Sequence, residues 1–187
     1  MKKKIILLIS GKGTNAINII NFFQNSDLVE VSLILSNNKN SPIFEKIKKY
    51  NVPAEFFHLK DFDDEVFEKI KNINPDLIVL AGFLKKISSK YIDFFSKKII
   101  NIHPSLLPKY GGKGMYGKHI HKKVIESSDK ETGITIHFVS KEYDSGEIIF
   151  QKKLKINEKD DASLIEKKVH TLEYEYYPKI IASLLNS

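Results

Sequence analysis

The sequence predicts an α/β fold of the open, doubly wound type, a mostly parallel sheet with helices on both faces and an antiparallel edge in the C-terminal half. Apolar runs of strand length alternate with helical patterns from residue 4 onward, and the runs are apolar throughout, as in strands buried on both faces. After residue 133 two β-rich runs follow each other without a helix between them. We expect the 187 residues to form a single domain, 1–187.

The first half of the chain contains repeated strand–helix units. Strands are predicted at 4–9, 31–35, 54–57 and 76–81, and helices at 15–23, 43–50 and 61–72. The third helix has an N-cap in Asp61 or Asp63, and Pro75 ends the connection to the next strand. Because parallel strands need crossover connections, these repeats favour a parallel sheet.

The second half begins with a short helix and then becomes richer in β-structure. A helix is predicted at 89–94, strands at 98–102, 133–139 and 148–156, a turn at 143–146, and a final helix at 160–185. The run at 133–139 alternates apolar and polar residues, which is typical of a hairpin-like antiparallel edge. Pro178 is expected to kink or interrupt the last helix.

Composition limits the possible classes of function. There are 30 Lys and Arg against 23 Asp and Glu, a net charge of +7, which permits a basic nucleic-acid-binding α/β module as an alternative to an enzyme. The lysines are spread along the chain, which counts against that alternative. The absence of cysteine excludes disulfides, thiolate metal sites and a cysteine nucleophile. Since no apolar run has the length of a signal sequence or a membrane span, we expect a cytoplasmic protein.

A glycine-rich turn, Ser10–Ala16, joins the first strand to the first helix. Backbone amides at such a helix start, with the side chains of Thr14 and Asn15, can form a phosphate site. The turn also fits a dinucleotide fingerprint, but that interpretation requires an acidic residue at the end of the second strand, and this chain has Ser36-Asn37-Asn38 there. A single phosphate is therefore favoured over a dinucleotide oxidoreductase or a tight turn without a ligand.

Asn101 and His103 lie two residues apart in a predicted buried strand, so their side chains point the same way. An amide can hold a developing oxyanion while an imidazole moves a proton near neutral pH. Pro104 and Pro108 bracket a rigid turn at the carboxyl end of this strand, where open α/β sheets bind ligands. The pair predicts acyl-type chemistry rather than a histidine buried only for packing.

The other polar candidates are less specific. Asp144 precedes a small residue and a glycine, the usual context of a turn former, but as a partner of His103 it would orient the ring and favour its protonated form. The pair His119 and His121 is interpreted as surface histidines of a glycine-rich loop, since a third metal ligand at suitable spacing is missing. His58 and His137 are assigned structural or supporting positions, and Glu173 by itself would be a solvated charge.

Four blocks of sequence together resemble the glycinamide ribonucleotide formyltransferases, folate-dependent enzymes of purine synthesis. They are Ile-Ser-Gly-Lys-Gly-Thr-Asn at 9–15, Leu-Ala-Gly-Phe-Leu at 80–84, Asn-Ile-His-Pro-Ser-Leu-Leu-Pro-Lys-Tyr at 101–110, and His-Phe-Val at 137–139 followed by Tyr-Asp-Ser-Gly at 143–146. The resemblance covers nearly the full length in the same order. It implies a Rossmann-like formyltransferase fold, 10-formyltetrahydrofolate as the formyl donor and the amine of glycinamide ribonucleotide as the acceptor.

The resemblance also implies roles for individual residues. His103 is the general acid, with Asn101 and Asp144 as the other catalytic residues. The substrate phosphate lies on Gly13, Thr14 and Asn15, and His170 and Glu173 contact the ribonucleotide. The predicted folate-binding residues are Leu84, Lys85, Lys86, Ile87, Asn101, Ser140 and Asp144.

The resemblance leaves related reactions open. A formyltetrahydrofolate hydrolase would use the same Asn, His and Asp with water in place of the amine, but such proteins usually carry a further domain ahead of the first strand, which here begins at residue 4. Methionyl-tRNA formyltransferases carry an added C-terminal domain, whereas this sequence ends at 187. The expected partners are small molecules, without metal, nucleic acid or membrane, and the expected state is a monomer or homodimer.

Overall fold

The computed structural model describes residues 1–186, which contain seven β-strands and six α-helices. The strands are β1 (Lys3–Ile9), β2 (Val29–Ser36), β3 (Ala54–Phe56), β4 (Leu77–Leu80), β5 (Ile99–His103), β6 (Glu131–Phe138) and β7 (Ile148–Lys155). The helices are α1 (Thr14–Phe23), α2 (Ile43–Lys46), α3 (Phe67–Ile73), α4 (Ser89–Phe94), α5 (Lys118–Glu126) and α6 (Ala162–Asn186).

The strands form one sheet in the order β3-β2-β1-β4-β5-β6-β7. Strands β1 to β5 pair in parallel, whereas β6 is antiparallel to both β5 and β7. The predicted fold class is thereby confirmed, including the antiparallel edge in the second half of the chain.

Helices cover both faces of the sheet, because successive strand residues point to opposite sides. In β1, Ile5, Leu7 and Ile9 pack into a cluster with apolar side chains of α1, α5 and α6. Ile6 and Leu8 instead join a second cluster with side chains of α3 and α4. The continuous apolar run of β1 is therefore explained by burial on both faces.

The structure differs from the sequence prediction in three elements. The segment around His119 and His121 was expected to be a glycine-rich loop, but it forms helix α5. The segment predicted as a helix at 61–72 begins with a 3-10 turn at Leu59–Asp61 and a π-helical turn at Phe62–Val66 before α3. The expected interruption at Pro178 is wrong, since α6 continues through it. Within residues 1–186, no helix is both long enough and apolar enough to cross a lipid bilayer.

A change of direction in the sheet opens a crevice at the carboxyl end of β1. The chain adds β2 and β3 on one side of β1, then crosses over and adds β4 and β5 on the other. The turn after β1 is tight: Gly13 has a φ of 70°, and a Cβ there would lie 2.9 Å from Ile43 Cδ1. Glycine at this position lets the turn before α1 pack closely against Ile43 of α2.

Tyr177 fastens α6 to the centre of the sheet. Its ring is fully buried, and its hydroxyl donates to the carbonyl oxygens of Leu80 at 3.0 Å and Ile100 at 3.4 Å. Leu80 is the last residue of β4, and Ile100 lies in β5, the strand that ends at His103. The hydroxyl therefore ties the helix that carries His170 and Glu173 to the strands that border the crevice.

Replacing Tyr177 by phenylalanine is expected to destabilise the protein by about 1–3 kcal/mol, because buried carbonyls lose a donor that water cannot replace. Urea unfolding would measure the loss. Tyr174→Phe, on the same helix but partly exposed, is the matched control and should change stability by less than about 0.5 kcal/mol. Equal stabilities of the two variants would contradict the assigned role of the hydroxyl.

Candidate active site

A cleft of about 590 Å³ opens at the carboxyl ends of β1, β4 and β5. This is where open α/β sheets bind ligands, beside the point at which the strand order reverses. The cleft is lined by all the site residues predicted from the sequence: Gly13, Thr14, Asn15, Leu84, Lys85, Lys86, Ile87, Asn101, His103, Ser140, Asp144, His170 and Glu173. Residues more than 150 positions apart thus share one cavity.

His103, the last residue of β5, is held by two partners. Its Nε2 lies 2.8 Å from the carbonyl oxygen of Tyr110, which can only accept, so Nε2 carries a proton and donates. Its Nδ1 lies 3.5 Å from Asp144 Oδ1. The side chain is only 4% exposed, and these contacts fix the plane of the ring at the cleft.

The turn that supplies the Tyr110 carbonyl is anchored to the antiparallel edge. Thr135 on β6 donates its hydroxyl to the Ser105 carbonyl at 2.7 Å and accepts from the Leu107 backbone N–H at 3.0 Å. Gln151 on β7 donates both to the Leu107 carbonyl and to the Thr135 hydroxyl, at 2.9 Å each. The buried hydroxyl therefore fixes the segment after β5 that faces His103.

His137 on β6 orients the amide of Asn101. Its Nδ1 lies 2.9 Å from the Phe138 carbonyl and must donate to it, which leaves Nε2 as an acceptor when the ring is neutral. Burial lowers the pKa of His137, despite opposing contributions from the Phe138 carbonyl and Asp144, and so favours the neutral ring. Asn101 Nδ2 therefore donates to Nε2 at 3.2 Å, and its second N–H is left for another acceptor.

Asp144 reaches the cleft from the loop between β6 and β7. Its backbone has a φ of 52°, and its Oδ2 accepts from the Gly112 backbone N–H at 2.9 Å. Its Oδ1 faces His103 Nδ1 and lies 3.8 Å from His137 Nε2. The carboxylate is thus held by the glycine-rich loop on one side while its other oxygen points at the His103 ring.

A buried carboxylate lies in the cleft wall where α6 packs beside α1. Glu173 is 4% exposed, and its Oε2 accepts from Asn15 Nδ2 at 3.0 Å and from His170 Nδ1 at 2.8 Å. The hydrogen bond to Glu173 raises the pKa of His170, against the opposing effect of partial burial. The expectation that an isolated Glu173 would be a solvated charge is wrong, because α6 packs beside α1 and encloses it.

The glycine-rich turn presents free backbone amides to the cleft. Helix α1 begins at Thr14 without a side-chain cap, and the first N–H groups of a helix have no partner within it. Gly11, Lys12 and Gly13 border the same space. One N–H of the Asn15 side chain is engaged with Glu173, and the backbone N–H groups of this first helical turn can bind an anion.

The loops after β4 and β6 form another wall of the cleft. Leu84 donates its backbone N–H to Ser10 Oγ at 3.0 Å, which joins this loop to the glycine-rich turn. Ile87 is buried, whereas Lys85 and Lys86 are more exposed, with Lys86 Nζ 3.7 Å from Glu142 Oε2. Ser140 Oγ lies 2.9 Å from Ser145 Oγ and so braces the loop that carries Asp144. The predicted folate-binding residues therefore form a partly apolar, partly cationic rim.

His121 was missed as a site residue. Its sequence context predicted a surface position in a loop, but it lies in α5, is 2% exposed and lines the cleft. His119 is exposed, as expected. The sequence feature that could have located His121 is the helical spacing of Ile120 and Val124, because these two residues and His121 form the buried face of α5. His58, exposed beside Phe56, does not line the cleft.

The cleft is lined by four histidines and four carboxylates, namely His103, His121, His137, His170, Glu142, Asp144, Glu166 and Glu173. In the described part of the chain, no three carboxylates or imidazoles are arranged to hold a metal ion. The arrangement instead joins an oriented amide, an imidazole and a carboxylate, which can stabilise an oxyanion and transfer a proton.

Comparison with known proteins places the chain in a family. The model of the family described as formyl transferase matches residues 3–181. A phosphoribosylglycinamide formyltransferase of Haemophilus influenzae is 37% identical over 186 residues, which cover 96% of this chain and 85% of that protein. The trifunctional purine biosynthetic protein adenosine-3 of Drosophila melanogaster is 32% identical over 194 residues, and this chain spans 14% of its length.

A solved structure agrees with these relatives. The phosphoribosylglycinamide formyltransferase of Anaplasma phagocytophilum superimposes with a TM-score of 0.90 at 27% identity, covering 100% of this chain and 88% of the other. The chain belongs to the formyl transferase family and is an enzyme. The Haemophilus and Anaplasma proteins are both phosphoribosylglycinamide formyltransferases, so the family resemblance seen in the sequence is confirmed.

The pairing of Glu173 with His170 predicts a measurable titration. Glu173→Gln is expected to lower the pKa of His170 towards the ordinary value, about 6.5, because the ring loses an anionic acceptor. NMR titration of the imidazole resonances would show this. Glu175→Gln, which removes the partner of Lys179 on the same helix, should leave the His170 titration unchanged.

The same pair has a defined effect on stability. Because the folded state raises the pKa of His170, the pair stabilises fully below about pH 6.5, and this contribution is lost as pH rises through the folded-state pKa. The stability difference between wild type and Glu173→Gln should therefore shrink towards alkaline pH. A difference that grows with pH would contradict this assignment.

Proposed function

We propose that this enzyme transfers the formyl group of 10-formyltetrahydrofolate to the amine of glycinamide ribonucleotide. The observation that carries the proposal is the convergence of Asn101, His103 and Asp144 at one end of a cleft whose other end presents the amides of a helix start and a buried glutamate. A formyl donor and a phosphorylated amine can therefore meet between these ends.

The proposed reaction needs no covalent intermediate on the enzyme. A neutral amine attacks the formyl carbon, and the carbonyl electron pair moves onto oxygen to form a tetrahedral oxyanion. The free N–H of Asn101 donates a hydrogen bond to that oxyanion, and so does the Nδ1–H of protonated His103, whose Nε2–H is held by the Tyr110 carbonyl. Electrostatic stabilisation by such oriented donors is the main source of acceleration in acyl transfer.

Proton transfer completes the reaction. In the proposal, Asp144 takes the proton that the attacking nitrogen loses, directly or through water. The bond between the formyl carbon and N10 of the folate then breaks, N10 takes up a proton from His103, and His103 regains a proton from Asp144. The products are the formylated ribonucleotide and tetrahydrofolate. The Gly112 N–H supports this role because it holds Oδ2 and leaves Oδ1 of Asp144 facing the cleft.

The walls suggest how each substrate binds. We assign the phosphate to the backbone amides at Gly13, Thr14 and Asn15, where the positive end of the α1 dipole favours an anion. We assign the ribonucleotide to His170 and Glu173. The folate lies against the rim formed by Leu84–Ile87 and Ser140–Asp144. Both substrates are small molecules, and the proposed reaction involves neither nucleic acid nor membrane.

A spectrophotometric assay with 10-formyltetrahydrofolate tests the reaction. Turnover is expected when glycinamide ribonucleotide is added and should be absent without it, because water is a poor substitute for an amine positioned by its phosphate. Equal turnover without the amine would identify a hydrolase instead. No turnover in either condition would contradict the proposal.

The catalytic assignment is tested by removing individual groups. His103→Ala is expected to lower turnover by about 100- to 1000-fold, the usual effect of losing one donor to the oxyanion. Asp144→Asn removes the proposed proton acceptor and is expected to lower turnover by about 100- to 10,000-fold. Binding of the ribonucleotide, measured by calorimetry, should change little. Asp93→Asn is the control, since Asp93 is exposed and paired with Lys141. Wild-type activity of His103→Ala would refute the mechanism.

A further inference from the structure

Two residues in the wall of the cleft, on α1 and α5, each carry a buried polar atom without a hydrogen-bond partner. The two atoms are His121 Nδ1 and Asn15 Oδ1. Residues 1–186 contain two other such side-chain atoms, in Asn37 and Thr132, and neither residue lines the cleft. Because buried polar groups in folded proteins are nearly always hydrogen-bonded, two such atoms in one wall indicate a ligand or water that completes them.

His121 lies between the two functional ends of the cleft. Its ring projects from the face of α5 that also buries Ile120 and Val124. The charged and titratable groups that act on it come from two directions: Glu166, His170 and Glu173 on α6, and His103 at the end of β5. A group bound against His121 would therefore lie between the proposed ribonucleotide contacts and the reacting centre.

The surroundings of His121 limit what it can bind. Burial lowers the pKa of His121, although Glu166 and Glu173 act in the opposite direction. A neutral imidazole offers one donor and one acceptor and is no counter-ion for a phosphate. Asn15 Oδ1 can only accept. The complementary ligand group is therefore uncharged and hydrogen-bonding, such as a hydroxyl or a carboxamide.

We propose that His121 hydrogen-bonds a hydroxyl or amide group of the acceptor substrate, in the wall that it shares with Asn15 and Glu173. His121 is then a specificity-determining residue for the sugar or glycinamide part of the acceptor, separate from the phosphate site and from the folate rim. This inference rests on the proposed function, since it deepens the description of the same acceptor site.

Substituting leucine for His121 distinguishes a role in substrate binding from a role in packing. His121→Leu is expected to weaken the binding of glycinamide ribonucleotide by about tenfold, equivalent to about 1.4 kcal/mol. Binding of folic acid should stay unchanged. The ligand-free variant should be at least as thermally stable as wild type, because an apolar side chain of similar size replaces a buried ring with an unpaired nitrogen. If His121 had only a structural role, the leucine variant would lose thermal stability without a selective loss of affinity for glycinamide ribonucleotide.

The matched control is His119→Leu, the same substitution on the same helix at an exposed position outside the cleft. It should bind both ligands as wild type does. Repeating the calorimetry with ribose 5-phosphate locates the contact: a parallel loss of affinity in His121→Leu assigns it to the sugar, and a loss confined to glycinamide ribonucleotide assigns it to the amide. Unchanged affinity of His121→Leu for glycinamide ribonucleotide would overturn the inference.

A measurement on the wild-type protein covers the case in which His121→Leu does not fold. With 15N-labelled histidine, the His121 ring resonances should shift on addition of glycinamide ribonucleotide and not on addition of folic acid. Unshifted resonances at a saturating concentration of glycinamide ribonucleotide would contradict the contact. Formyl transfer by the wild type tests the proposed function separately, so failure of this inference leaves that result standing.

Discussion

Strand β1 lies between β2 and β4, so that the chain builds the sheet outward from one central strand in both directions. The loops that follow β1 and β4 consequently separate at their carboxyl ends and leave a crevice. The glycine-rich turn, the loop 84–87 and the end of β5 all border it. Every other property of the site depends on this topology, because it brings backbone amides, apolar surface and the Asn101–His103 pair to one edge.

Enclosure then determines the chemistry of the polar groups. His137 is buried against the Phe138 carbonyl, which assigns its proton to Nδ1 and makes Nε2 an acceptor for Asn101. The amide is thereby fixed before any substrate arrives, and an oxyanion donor that needs no reorientation is more effective than a mobile one. Burial therefore removes water from these polar groups, but it also fixes their orientation.

The wall between α1 and α6 shows the same effect of burial on a charged group, the carboxylate of Glu173. Glu173 is buried, yet its carboxylate accepts hydrogen bonds from Asn15 and His170. These contacts connect α1 to α6, so that the glycine-rich turn and the C-terminal helix form one wall. His121 completes this wall from α5. The acceptor side is therefore assembled from three helices, whereas the proposed catalytic side is built on strand ends and loops.

The sequence alone determined the features that depend on neighbouring residues. Continuous apolar runs identified most strands and a periodicity of 3.6 residues most helices, and the alternation of side chains along a strand placed Asn101 and His103 on one side of β5. The four sequence blocks also identified the family. Tertiary structure decided what depends on distant residues: the approach of Asp144 to His103 across 41 positions, the burial of Glu173 and the position of His121. Local pattern cannot encode these, because each requires loops and helices from separate parts of the chain to pack together.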